Sequence, residues 1–190
     1  MAGEYSGMEE RQVLIRFRNG DSEAGNELFR RYRDRVFAMC ANVTGNRDLA
    51  AEAVQEAFYR LLRIRNKIDP DKNFSAFLHK MAYNLCMDEL RRKKNAVSWE
   101  DFSWVEEELP SVDELFAENE HKIEMKEVWQ AVEKLPLSAK TLMELRYRSR
   151  LSPDEIANIL ELPASTVRVR LYRARKALAG MLMSLLREKK

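Results

Sequence analysis

The sequence predicts an all-α fold of two helical domains joined by an acidic linker. Apolar residues recur at steps of three or four over most of the chain, which is the period of an amphipathic helix. Only six glycines and five prolines occur in 190 residues, too few for a fold built on tight β-turns. The charge is also divided: 18 basic against 14 acidic residues in 1–97, nine acids and no Lys or Arg in 98–121, and 15 basic against eight acidic residues in 122–190.

Four helices account for the first domain, which we place at residues 8–97. A short helix is expected near residues 8–18. The second helix should begin after Asp21, the expected N-cap, and end at Gly45. Its apolar stripe is Leu28, Tyr32, Val36, Met39, Cys40 and Val43. The third helix has the apolar stripe Leu49, Ala53, Val54, Ala57, Phe58, Leu61 and Leu62. A polar connector, residues 66–73, precedes the fourth helix. The apolar stripe of that helix is Phe74, Phe77, Leu78, Met81, Ala82, Leu85 and Leu90.

The acidic linker is placed at residues 98–118, and the second domain at residues 119–190. The helical period is lost from residue 98 to about residue 110, and Ser111 with Glu114 predicts a capping box that restarts a helix. The next apolar stripe ends at Pro136: Ile123, Val128, Trp129, Val132 and Leu135. Ser138 is expected to cap the following helix, which ends in the basic stretch 146–150.

Residues 152–178 have the layout of a helix-turn-helix: a short helix, a tight turn and a second, arginine-rich helix. Ser152, Pro153 and Glu155 supply an N-cap serine, a first-turn proline and a capping-box glutamate. In the second helix one narrow face is apolar and should pack on the first helix: Val167, Leu171, Ala174 and Leu178. No acid occurs from residue 163 to residue 183, whereas five basic residues do. A solvated basic face is the plain interpretation, but the hairpin spacing and turn proline favour a polyanion partner.

Groove geometry divides the second helix into two groups. Residues near its start reach base edges, and later residues reach phosphates. We therefore predict base contacts for Arg168, Val169 and Tyr172. Phosphate or packing roles fall to Arg170, Arg173, Arg175 and Lys176. Arg148 and Arg150, just before the first helix, are positioned to hold the opposite flank of the DNA backbone.

With these residues laid out, the chain resembles the extracytoplasmic-function sigma factors of the sigma-70 family. Region 4 of that family is matched by residues 154–157 together with Pro163, Thr166, Val167, Arg168, Arg170, Leu171, Arg173, Ala174 and Arg175. Region 2.2 is matched by Glu52, Gln55, Glu56 and Phe58. Regions 2.3 and 2.4 are matched by Phe74, Leu78, Ala82, Asn84, Asp88, Arg91 and Arg92. The three motifs occur in the family's order and cover roughly residues 10–95 and 120–185.

The resemblance implies a protein that brings core RNA polymerase, through its β′ and β subunits, to promoter DNA. Contacts with the −35 element would come from Ser165, Thr166, Arg168, Val169, Tyr172, Arg173, Lys176 and Arg150. Contacts with the −10 element would come from Asn73, Phe74, Phe77, Lys80, Asn84, Asp88, Arg91 and Arg92. The β′ coiled coil would be bound by Glu52, Gln55 and Glu56. The connector 66–73 would capture an unstacked base, the acidic linker would thread through polymerase, and an anti-sigma factor would regulate the protein.

Four positions depart from the family's pattern. Phe77 stands where tryptophan is usual and His79 where tyrosine is common, so both keep an aromatic ring. Glu52 replaces aspartate, and Val169 replaces a small polar residue, which favours contact with a thymine methyl. Glu161 stands where the turn usually has glycine. A left-handed backbone would be strained there, so we expect the turn to differ locally.

Other classes of function are less well supported. The main alternative is a stand-alone helix-turn-helix regulator, which would bind an operator without polymerase; a third is a mimic that sequesters an anti-sigma factor. No nucleophile–base set, phosphate-binding glycine loop or metal-ligand cluster indicates an enzyme, a cofactor or a metal. Cys40 and Cys86 read as buried free thiols. No signal peptide or membrane-length apolar run is present, which indicates a cytoplasmic protein without membrane insertion.

Overall fold

The computed structural model describes Tyr5, residues 7–92 and residues 124–188, and every regular element among them is helical. The helices form two compact units, the first made mainly of residues before the acidic segment and the second mainly of residues after it, while residues 158–160 group with the first. The predicted all-α, two-domain fold is confirmed. The predicted linker 98–118, with Ser111 and Glu114, lies outside the described residues. None of the described helices is long and apolar enough to cross a membrane.

The first unit contains α1 (Glu10–Arg18), α2 (Ser22–Thr44), α3 (Arg47–Arg63) and α4 (Phe74–Arg92), with a 3₁₀ turn (Arg65–Lys67) after α3. Asp21 caps α2 as predicted: its side chain accepts hydrogen bonds from the N–H groups of Glu23 and Ala24, at 2.9 and 3.2 Å. Gly45 ends α2 in the left-handed conformation, with φ of 62°, which glycine adopts without strain. Asn46 then caps α3, a role that the apolar pattern did not reveal.

The core of the first unit is made from the predicted stripes. Phe74 is 2% exposed, and its ring meets Tyr32 edge to face with centroids 5.2 Å apart. Phe58 meets Phe29 in the same way at 4.8 Å. Leu62 and Phe77, which the predicted stripes include, are 49% and 43% exposed. Each stands next to a buried stripe residue, Leu61 and Leu78 respectively. One residue along a helix turns the side chain by about 100° around the axis, so Leu62 and Phe77 point away from the core.

A buried carboxylate ties the chain before α1 to α2. Glu27 on α2 is 5% exposed and accepts hydrogen bonds from Arg30 at 2.8 Å and Arg31 at 2.6 Å. The hydrogen bond from Arg30 is the largest influence that lowers the pKa of Glu27 to about 2. Arg31 also donates to the carbonyls of Tyr5 and Met8, at 2.6 and 2.9 Å. One ion cluster therefore anchors the N-terminal segment.

The second unit contains α5 (Met125–Glu133), α6 (Leu137–Met143), α7 (Pro153–Leu160) except its last three residues, and α8 (Ala164–Glu188). A π-helical turn, Glu144–Arg148, continues α6. The prediction that Ser138 caps α6 is wrong. The helix begins at Leu137 with Pro136 in the cap position, because proline needs no N–H partner there and its φ of −57° suits a helix start. Ser138 lies inside the helix and is buried.

The apolar face of α8 is buried as predicted: Val167, Leu171, Ala174 and Leu178 are all below 9% exposed. Its packing partner differs in part from the prediction. Ala174 and Leu178 join a core formed with α5 and α6: Val128, Ala131, Val132, Leu135, Ala139 and Met143. The long α8 therefore uses these residues to close the unit's core, which leaves its opposite face open to a partner.

Candidate nucleic-acid interface

The start of α7 is fixed by the predicted capping box. The Ser152 hydroxyl accepts a hydrogen bond from the N–H of Glu155 at 3.2 Å, and the Glu155 carboxylate accepts one from the N–H of Ser152 at 2.7 Å. Pro153 occupies the first helical turn. These contacts satisfy backbone N–H groups that have no hydrogen-bond partner within the helix, and they fix the residue at which α7 begins.

Two charged residues with left-handed backbones flank α7. Arg150 precedes it with φ of 56°, and Glu161 ends it with φ of 57° and ψ of 40°. The expected local change in the turn at Glu161 is therefore not seen: the left-handed backbone is kept although glycine is absent. The N–H of Glu161 donates to the carbonyl of Ala157. A left-handed residue with a side chain costs roughly 1–2 kcal/mol, which the packing and hydrogen bonds of the turn must offset.

The open face of α8 carries most of the predicted −35 residues. Exposed side chains are Ser165, Arg168, Val169, Tyr172 and Arg173, and partly exposed ones are Thr166 and Lys176. Val169 and Tyr172 are 49% and 56% exposed although both bear large apolar groups. The Lys176 ammonium lies 5.4 Å from the centre of the Tyr172 ring. This surface offers cations to phosphates and apolar groups to base edges.

Arg168 is held by a residue that sequence reasoning did not single out. Its Nη2 atom donates to Oδ1 of Asp154 at 2.8 Å, across the turn between α7 and α8. Both side chains remain more than half exposed. In the sequence, Asp154 stands out only as part of the stretch that resembles region 4. The contact places a single carboxylate beside the predicted base-reading arginine.

Arg148 and Arg150, the two arginines predicted to hold the DNA flank, are both exposed but differ in their contacts. Arg148 stacks over Trp129, with its guanidinium carbon 4.1 Å from the ring centre, and lies 3.4 Å from Glu144. Glu144 is 2% exposed, and this burial raises the pKa of its carboxyl group while Arg148 opposes the shift. Arg148 therefore serves the unit's own packing, and Arg150 remains the candidate for the DNA flank.

The predicted polymerase-binding residues share one side of α3. Glu52 and Gln55 are exposed, and Glu56, half-exposed, accepts a hydrogen bond from Arg60 at 2.6 Å. Two exposed apolar side chains follow on the same helix, Tyr59 and Leu62. The apolar stripe predicts Leu62 in the core, which is wrong, and it gives no signal for Tyr59. The surface thus combines carboxylates with apolar contact area.

On α4 and at the residue before it, Asn73, the structure places all but one of the predicted −10 residues at least partly at the surface. Exposed residues are Asn73, Phe77, Asn84, Asp88, Arg91 and Arg92, and Lys80 is partly exposed. The exception is Phe74, which we reassign to the core because its ring is buried against Tyr32. Asn73 has a structural task as well, since its side chain accepts a hydrogen bond from the N–H of Ala76 at 3.1 Å at the start of α4.

His79 lies beneath this surface and is fully buried. Its Nδ1 atom is 2.7 Å from the carbonyl oxygen of Ser75, which can only accept, so Nδ1–H donates this hydrogen bond. Burial lowers the pKa of His79 to about 4 while the hydrogen bond to the Ser75 carbonyl opposes the shift, so the ring is neutral at pH 7. The expectation that an aromatic ring here preserves packing agrees with this placement, and His79 itself presents nothing to DNA.

Comparison with known families matches both units in order. Residues 28–96 match the model of sigma-70 region 2, and residues 125–178 match the model of sigma-70 region 4. The first match contains α3 and α4 with their exposed faces, and the second contains α5 to α7 and the first part of α8. The three surfaces described above, on α3, α4 and α8, therefore fall within the two matched regions.

Relatives extend the similarity along nearly the whole chain. The ECF RNA polymerase sigma factor SigW of Bacillus subtilis is 30% identical over 175 residues, covering 88% of this chain and 94% of the relative. The ECF RNA polymerase sigma-E factor of Escherichia coli K12 is 29% identical over 187 residues, covering 93% and 96%. Among solved structures, CnrH in complex with the cytosolic domain of CnrY has a similar fold, with a TM-score of 0.56, 19% identity and coverage of 92% and 97%.

Proposed function

Because the chain belongs to the extracytoplasmic-function sigma factors of the sigma-70 family, we propose that its three exposed surfaces divide the work of promoter recognition. The observation that carries the proposal is the ordered match of regions 2 and 4 to two units that each present a fitting face. The protein binds core RNA polymerase and directs it to promoters, as the family does. We add that it supplies no catalytic chemistry of its own and works with the polymerase in the cytoplasm.

In the second unit, α8 is the recognition helix for the −35 element. A helix that enters the major groove by its N-terminal turns brings early residues to bases and later ones to phosphates. Arg168 can present donors to the two acceptors of a guanine edge, and Val169 can contact a thymine methyl. Arg173 and Lys176 follow where phosphates are nearer. Arg150, which precedes α7, contacts the DNA backbone on the opposite flank of the element.

In the first unit, α4 and the connector before it engage the −10 element. Promoter opening requires aromatic or apolar groups on which unstacked bases can rest and cations that follow the backbone. Phe77 is the exposed ring, while Arg91 and Arg92 form a basic helix end. An ion pair of 2.7 Å between Arg11 and Asp71 links the connector 66–73 to α1. The connector is the segment proposed to capture a flipped base.

The surface of α3 docks on core polymerase. Glu52, Gln55 and Glu56 supply polar contacts to a basic coiled coil of the β′ subunit. Tyr59 and Leu62 enlarge this surface with apolar area, which typically forms the energetic centre of a protein interface. Since Glu56 is already paired with Arg60, docking would exchange that pair for one with the partner.

The remaining assignments concern organisation and control. We propose domain limits of 8–97 and 119–190, with 98–118 as the linker that enters polymerase between them. The family resemblance also suggests an anti-sigma factor as regulator. The structure similar to this chain, CnrH, was solved with the cytosolic domain of CnrY, and it offers a precedent for a bound protein partner.

The decisive experiment is run-off transcription from a random promoter pool with purified core polymerase, with and without the full chain. A sigma factor should yield transcripts only in its presence, from templates that share two spaced elements. Without polymerase, the chain should bind the recovered templates weakly, with an affinity close to its affinity for unrelated DNA. Tight, sequence-specific binding without polymerase, and no transcripts, would instead identify a stand-alone helix-turn-helix regulator.

A further inference from the structure

The ion pair between Asp154 and Arg168 joins the first turn of α7 to the recognition helix. Oδ1 of Asp154 accepts a hydrogen bond from Nη2 of Arg168 at 2.8 Å, while the side chains are 68% and 57% exposed. A pair this exposed adds little to folding stability. An acid in the first turn of α7 also interacts favourably with the helix dipole, but that role needs no arginine partner. The specific contact therefore calls for a second explanation.

We propose that Asp154 is a positioning residue that holds the Arg168 guanidinium ready for a guanine edge and disfavours binding to other sequences. This inference rests on the proposed role of α8 at the −35 element. It adds a residue of α7, outside the recognition helix, to the determinants of sequence preference. Asp154 itself contacts arginine rather than DNA.

The geometry of the guanidinium group supports this role. Arginine has five N–H donors in a fixed planar fork, so a carboxylate bound at Nη2 leaves other donors for a base. An unrestrained arginine on an exposed helix face must lose rotamer freedom when it docks on a base. Holding it beforehand removes much of that loss, which is typically equivalent to about 2- to 12-fold in binding per side chain.

The charge of Asp154 contributes the second half of the effect. When Arg168 engages a guanine, the carboxylate stays next to its positive charge and remains compensated. When no guanine is present, Arg168 could turn to a phosphate, but it would then leave Asp154 unpaired beside a polyanion. Like charges repel at this range, so the carboxylate penalises the phosphate-bound arrangement. Asp154 should consequently lower affinity for unrelated DNA more than affinity for the preferred promoter.

The test is a double-mutant cycle with holoenzyme assembled from core polymerase and the full chain. The four proteins are wild type, Asp154→Ala, Arg168→Ala and the double variant. Each is measured on a preferred promoter, on single-base variants of its −35 element and on promoter-free DNA. Asp154→Ala should lower discrimination at one −35 position by about 2- to 12-fold. It should also raise affinity for promoter-free DNA, and Asp154→Glu should restore part of the preference.

A matched control removes the same charge elsewhere in the second unit. Glu133 on α5 pairs with Lys140 on α6 at 3.0 Å, and its side chain is 62% exposed, close to the 68% of Asp154. Glu133→Ala should leave the preference at every −35 position unchanged. In the Arg168→Ala background, Asp154→Ala should have no further effect on base preference, because the side chain that it positions is gone.

The possible failures are distinguishable. If Arg168→Ala leaves base preference intact, the base-reading role in the proposed function is wrong, and the role of Asp154 falls with it. If Arg168→Ala removes the preference at one position but Asp154→Ala does not weaken it, only the positioning role is overturned. Equal effects of Asp154→Ala in both backgrounds, or of Glu133→Ala and Asp154→Ala, would reduce Asp154 to a general charge effect and overturn the inference.

Discussion

Replacing His79 with phenylalanine should remove an acid sensitivity of the first unit. His79 is fully buried and neutral, and its pKa is lowered from 6.5 to about 4. In the unfolded chain the imidazole is mostly protonated below pH 6.5, whereas in the folded chain it becomes mostly protonated only below about pH 4. Stability is therefore unaffected by this group above pH 6.5 and falls as the pH drops towards 4.

The size of the effect follows from the two pKa values. Between pH 7 and pH 5 the unequal protonation of His79 should lower the free energy of unfolding by about 2 kcal/mol. Chemical unfolding of wild type and His79→Phe at several pH values, followed by circular dichroism, measures this difference. Other titrating groups, including Glu10, Glu27 and the chain's second histidine, are common to both proteins and cancel in the comparison.

The variant's pH dependence between 7 and 5 should thus be shallower by about 2 kcal/mol, whatever constant offset the substitution brings. Parallel pH profiles for the two proteins would refute the reasoning, because they would mean that His79 binds protons equally in the folded and unfolded states. Since His79 lies under the exposed face of α4, acid should weaken promoter opening together with stability.

Three further predictions concern the other surfaces. Glu161→Gly should raise the free energy of unfolding of the second unit by about 0.5–1 kcal/mol, because relief of the left-handed strain exceeds the entropy cost of glycine; a lower denaturant midpoint would contradict this account. Glu56→Lys should weaken binding to core polymerase while circular dichroism stays normal, and unchanged affinity would remove α3 from the docking surface. Lys176→Ala should weaken holoenzyme binding to all promoters alike and lower the salt slope by about one unit, whereas Arg168→Ala should relax preference at one −35 base. A uniform loss from both substitutions, measured on single-base variants at several salt concentrations, would make Arg168 a phosphate contact only.

The local signals in the sequence predicted most of the helices. Asp21, Gly45 and the Ser152–Glu155 pair act through contacts within a few residues, so their spacing alone was informative. The apolar period predicted the helices correctly, but it assigned some residues at the border of each buried face wrongly to the core. Leu62 and Phe77 differ from true core positions by one helical step, and only the packing of neighbouring helices decides which side of the boundary a residue takes.

The contacts that sequence reasoning missed join residues far apart in the chain. The Glu27 cluster reaches back to Tyr5 through Arg31, and Asp154 meets Arg168 across a turn. No periodic pattern records such pairs, because each residue alone looks like an ordinary charged surface position. Phe74 is another residue whose role depends on a distant contact. Its motif suggests a DNA contact, whereas the structure packs its ring against Tyr32 of another helix, in the core.

The way the core of the second unit is assembled has a consequence for how such proteins diversify. The core around α8 is built from α5, α6 and α8, all of which follow the acidic segment. A recombination event within the acidic segment would therefore move this core as one block. The residues proposed to contact the −35 element would be inherited with it, and promoter preference could evolve one element at a time.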